Sequence, residues 1–246
     1  MNGLTPSYFK RIHLGLLLEF ALTFVTAGLL VILIAIVNSR ISSCDIPAEA
    51  VSWTTLEDYA GNFMRLIYAY FILKYAVSAI CALVTISGLG ETESSSADLH
   101  RAKLLFIGFL LINAVVMVFR IIRLSMADEA DILDLPYIAV RMVTLSLRMS
   151  ALFFLMKGSA SVLDSMGQDS HTDLRKMPRQ IILSFTLLMI AYSFLIIHTI
   201  LNTKDLLPLI PMVITFVIAG IYYLIIWIRI LRYTRQTVTV LTDICR

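Results

Sequence analysis

Residues 14–38 read LGLLLEFALTFVTAGLLVILIAIVN, a run whose one ionisable side chain is Glu19. A helix rises about 1.5 Å per residue, so a run of this length crosses a hydrocarbon core of about 30 Å. The run lacks the period-two alternation of a barrel strand, and in lipid each backbone N–H and C=O must find its partner within the segment, which a helix provides. It is longer than a signal-peptide core and has no A-x-A cleavage pattern, so it is expected to remain as a membrane span.

Five runs of the same kind follow, over residues 63–89, 104–124, 136–156, 180–201 and 207–230. Pro136, Pro208 and Pro211 fall at their starts, where a missing N–H costs little. The expected fold is an all-α integral membrane protein, a bundle of about six transmembrane helices that makes a single polytopic domain of residues 1–246. Composition agrees: 59% of residues are hydrophobic, only 15% are charged, and mean hydropathy is +0.87. An ordinary soluble domain carries roughly 25% charged residues.

Lys and Arg resist translocation and so set the orientation. Lys10, Arg11, Arg101, Lys103, Lys157, Arg175, Lys176, Arg179, Arg229, Arg232, Arg235 and Arg246 fall in one set of segments, whereas the opposite loops hold only Arg40 and Lys204, or six cations with Arg65, Arg120, Arg123 and Arg141 at the adjoining helix ends. Both termini are therefore expected on the cytoplasmic side, in the cell membrane. The net charge of +3 follows from this topology and does not call for nucleic acid as a partner.

Two cytoplasmic turns resemble each other, Asp98-Leu99-His100-Arg101 and Asp173-Leu174-Arg175-Lys176. Leu110, Leu111 and Ala114 also have the spacing of Leu187, Leu188 and Ala191. Residues 63–124 and 136–201 thus read as two hairpins of one repeat.

An ionisable residue at mid-helix costs about 2.5 to 3.5 kcal/mol on insertion scales, so each such residue needs a partner, water or a function. Lys74 and Arg148 lie roughly 18 Å from the outer helix ends, too deep for easy snorkelling. Each continues a polar stripe: Tyr70, Lys74, Ser78, Cys81 and Thr85 on one span, Arg141, Thr144 and Arg148 on another. Glu19, Thr23 and Thr26 form a third. Glu19 is at a depth that lets it pair with Lys74 or Arg148, but it cannot neutralise both. About one excess positive charge should then remain near the midplane.

The stripes point to an outward-facing cationic pocket with Arg148, Arg141, Lys74 and Tyr70 as ligand-binding residues and Tyr68 and Tyr75 on its wall. Its ligand would be an anionic small molecule or a lipid head group. The outer cations Arg65, Arg120, Arg123 and Arg141 have a simpler role open to them, snorkelling to lipid phosphates and to acidic outer loops.

Other features carry less. His13 and His198 lie at opposite membrane faces and cannot share a metal. Cys44, Cys81 and Cys245 are far apart and form no C-x-x-C, so no metal site and no disulfide is expected. Trp53 and Trp227 read as interfacial belt residues. There is no nucleotide, zinc-protease or serine-hydrolase motif, and the Gly88-Leu89-Gly90 turn runs into Glu-Thr-Glu, which repels phosphate. No cofactor and no enzymatic site is expected.

The first expectation for function is a transporter or a membrane-embedded transporter subunit. A membrane sensor or regulator, or a structural subunit of a membrane complex, are the alternatives. Besides membrane lipid, a cytoplasmic or membrane partner subunit would find the long loop of residues 158–179 and the basic C-terminal helix exposed.

Overall fold

Each apolar run forms one helix, and the helices overrun the apolar stretches on the side that carries the chain ends. A computed structural model describes residues 6–43, 63–92, 96–126, 135–167, 172–201 and 209–244. Among these residues it contains α1 (Pro6–Ser43), α2 (Phe63–Thr92), α3 (Ala97–Met126), α4 (Leu135–Ser165), α5 (Thr172–Leu201) and α6 (Leu209–Ile244), and no strand. All six helices are long and apolar enough to cross a membrane. The protein is an all-helical, multi-pass integral membrane protein.

Two expected turns are helical instead. The stretch 158–179 is mostly helix, since α4 continues to Ser165 and α5 already starts at Thr172. Gly167, at φ 74°, ends α4, with the Gly167 N–H donating to the Asp164 carbonyl over 3.1 Å. A glycine carries no Cβ penalty in this left-handed conformation, which explains the residue here. Gly88, Leu89 and Gly90 likewise lie inside α2. The charges that end a hydropathy window do not end a helix whose buried face continues.

Consecutive helices pack against each other, α1 packs against α6 to close the ring, and α4 leans inward to touch α6. Polar contacts tie the ring at the end where the chain begins and finishes. His13 Nδ1 and Thr234 Oγ1 are 2.8 Å apart between α1 and α6. Lys157 and Asp98 join α4 to α3 at 3.2 Å, Arg175 and Asp164 join α5 to α4 at 2.9 Å, and Arg229 donates to Gln180 over 2.9 Å between α6 and α5. Between α1 and α2 the tie is steric: a Cβ on Gly88 would meet the Tyr8 carbonyl oxygen at 2.7 Å, and one on Gly15 the Cys81 carbonyl oxygen at 2.9 Å. Small residues that admit a neighbouring backbone are a usual means of holding helices together in lipid, where apolar side chains gain little from meeting each other.

The hydrophobic core occupies this same end. Phe9, Ile12, Leu16, Leu89, Phe106, Met156, Met177, Ile181, Trp227, Ile230 and Leu241 belong to one cluster, and all lie in the halves of their helices nearest the chain ends. In the opposite half the buried residues that the structure describes include Thr26, Tyr70, Tyr75 and Asn113. Leu17, Phe24, Ile80, Leu111, Val143, Ile182 and Ile221 face outward, as a lipid-facing surface requires. The positions matched in the hairpin repeat differ in environment, since Ala191 is buried and Ala114 exposed.

Candidate functional site

An ion pair lies where the core cluster meets the opposite half of the bundle. Glu19 is brought there by α1, whose Gly15 one turn below is seated on the backbone of Cys81 and Thr85 of α2. Arg148 comes from α4, on the far side of the ring, and its Nη2 lies 2.9 Å from Glu19 Oε1. The two side chains are 9% and 19% exposed. The bridge thus spans the bundle between helices that do not lie side by side. Pairing removes the net charge that makes a lone intramembrane ion so costly.

Aromatic rings complete the surroundings of the guanidinium. Arg148 Cζ lies 4.9 Å from the centroid of Trp227 and 6.0 Å from that of Phe109. Trp227 stacks on Phe20 at 6.2 Å and meets the edge of Tyr223 at 6.3 Å. A desolvated cation over an indole face gains about 2 kcal/mol, so the rings offset part of the cost of burying the guanidinium. Residues from α1, α3, α4 and α6 therefore converge on one group.

Glu19 and Arg148 do not use all of their surroundings. Arg148 Nε and Asn113 Nδ2 are buried and have no hydrogen-bond partner among the described residues. An unmatched buried N–H costs about 1 to 3 kcal/mol, so each of these donors marks a place where an acceptor belongs.

Of the two cations expected at midplane depth, Arg148 is the one that Glu19 holds. Lys74 is half-buried on α2, in the same stripe as the buried Tyr70. Arg141 lies farther outward on α4 and places its guanidinium 5.6 Å from the centroid of the buried Tyr75, a contact from α4 to α2. Thr23 leaves its stripe: it is exposed, and its hydroxyl donates to the Glu19 carbonyl in its own helix over 2.7 Å. Cys81 is a buried free thiol. The side chains of Arg65, Tyr68, Arg120, Arg123 and His198, together with Cys44, Trp53 and Cys245, lie outside the described residues.

Trp227 is a correction. It is 3% exposed and faces the bundle, not a lipid interface. Its position along the span suggested a belt, but the face it shares with Tyr223, Ile230 and Thr234 is the buried face of α6. That spacing is the signal by which Trp227 and Tyr223 were findable. Asn113 stands alone among apolar neighbours of α3 and was likewise missed.

Among the described residues no group of three or more His, Cys, Asp or Glu is placed to hold a metal. No family model, curated protein or solved structure matches the chain.

Proposed function

We propose that the chain is a transporter, or the membrane-embedded subunit of one, which handles an anionic solute or the charged head of a lipid-like molecule through Arg148. The supporting observation is the state of that arginine. Its guanidinium is deep in the bundle, one nitrogen is held by Glu19, and Nε is a buried donor without an acceptor. A guanidinium presents five N–H donors in a fixed fork, so it can hold Glu19 and a second acceptor together. Arg141 on α4 and Lys74 and Tyr70 on α2 lie farther outward than the pair, where a ligand descending from the outer side meets them first. The packed hydrophobic cluster on the other side of the pair leaves that direction as the natural approach.

The expected effect is on binding. Arg148→Lys keeps the charge and the chance to pair with Glu19 but loses the fork, and should weaken anion binding by about 2 kcal/mol, measured by anion uptake into proteoliposomes and by equilibrium binding in detergent. Normal binding and flux with lowered stability would make Arg148 a structural ion-pair partner and remove this reading.

In this proposal both termini are cytoplasmic and the host is the cell membrane. Single cysteines placed in the two tails should react with an impermeant thiol reagent from one side, and a cysteine near Asp128 from the other. Reaction of all three from the same side is the contrary outcome. A structural-subunit reading, with intramembrane charges paired to neighbouring chains, is less well supported because Glu19 and Arg148 pair their charges within one chain. A partner that couples or senses would find Arg232 and Arg235 exposed on the extension of α6.

A further inference from the structure

We propose that the Arg148 site takes a small monocarboxylate together with one proton, with Arg148 Nε and Asn113 Nδ2 donating to the anion and Glu19 receiving the proton. This rests on the reading of Arg148 as an anion-binding residue.

The donors come first. Asn113 is 4% exposed and lies one helical turn outward from Phe109, whose ring packs near the guanidinium. Its helix, α3, packs directly against the α4 helix that carries Arg148. Both Nδ2 and Nε lack an acceptor. Two N–H donors from adjacent helices suit a planar group with two acceptor oxygens, which a carboxylate provides. Phe109, Trp227 and Tyr223 offer apolar surface to the body of such a molecule.

Charge balance sets the rest. The charged and titratable groups that face Glu19 are Arg148 from α4, Cys81 from α2 and Tyr223 from α6. An ordinary thiol and phenol are uncharged below about pH 8, so the site at rest is neutral. An anion that joins it makes a buried net negative charge, which a low-dielectric interior disfavours strongly. Neutrality returns when Glu19 gives up the guanidinium to the incoming carboxylate and is protonated. The O–H bond forms on Glu19 with a proton from bulk water, no electrons are transferred, and the site stays neutral with anion and proton both aboard. Glu19 can absorb one proton, so the site accepts a singly charged anion and excludes a dianion.

The test is calorimetry of the full-length protein in detergent with benzoate as the probe, in bis-tris and in Tris, both adjusted with sulfuric acid because the site excludes the sulfate dianion. The difference in heat between buffers should give uptake of about one proton per benzoate, and affinity should fall about tenfold per pH unit across the alkaline range. Glu19→Gln, which mimics the protonated acid, should bind benzoate with no proton uptake and a flat pH profile. Asn113→Leu should weaken binding about tenfold and leave proton uptake unchanged. If Glu19→Gln does not fold, the pH profile of the wild type decides. Benzoate binding without proton uptake overturns the coupling and leaves the anion site standing. A wild type that binds none of benzoate, acetate and chloride overturns the anion site itself.

Discussion

Arg148→Ala is expected to destabilise the folded protein by about 3 to 5 kcal/mol, because it leaves Glu19 buried beside aromatic rings with no cation. Glu19→Ala should cost a similar amount by stranding the guanidinium. The double change Glu19→Ala with Arg148→Ala removes both charges, and should be far less harmful than the sum of the two single changes. Unfolding in detergent, followed by near-ultraviolet circular dichroism against denaturant, measures all four states of this cycle. Strict additivity would mean that the 2.9 Å contact contributes no coupling and that each residue is satisfied in some other way. The exchange of Glu19→Arg with Arg148→Glu should recover part of the loss, since the pair is restored but the aromatic cradle then faces a carboxylate.

The second large effect is steric. A Cβ on Gly88 would stand 2.7 Å from the Tyr8 carbonyl oxygen and 3.0 Å from the Ile12 nitrogen, and one on Gly15 would stand 2.9 Å from both the Cys81 oxygen and the Thr85 nitrogen, besides striking Thr85 Oγ1. These obstacles are mostly backbone, so a side-chain rotation does not relieve them. Gly15→Ala and Gly88→Ala should lose stability at the upper end of the range of about 1 to 3 kcal/mol known for overpacking, and Leu at either position should exceed it. Gly28 and Gly220 meet nothing within 4 Å, and there alanine should be neutral or slightly stabilising. Equal loss at all four glycines, read as the midpoint of thermal unfolding in detergent, would contradict a close α1–α2 approach.

The fold was legible because the solvent constrains it: long apolar runs in lipid have few structures open to them. Glu19 and Arg148 were legible for a related reason, since an intramembrane charge must be answered and their depths matched. Which cation answers Glu19 was not legible. Lys74 and Arg148 have similar depth, and the choice depends on how the helices turn toward one another. Trp227 was misassigned because position along a span does not say which way a ring faces. The Gly15 and Gly88 contact was invisible because its signal is the absence of a side chain, which also suits a turn. Helix ends were drawn too short where charges interrupted the hydropathy, as at Lys157, although Ser159, Val162 and Leu163 carry the buried face of α4 onward.

The closeness of Arg148 to the face of Trp227 gives the protein an internal optical reporter. Indole emission responds to a charge above the ring, and the chain has only two tryptophans, Trp53 and Trp227. With Trp53→Phe, the remaining emission comes from the ring beneath the guanidinium. Any event that draws Arg148 away from Glu19, or sets a new negative charge beside it, changes the field on that one chromophore. Occupancy is then followed by light, in real time and without a label.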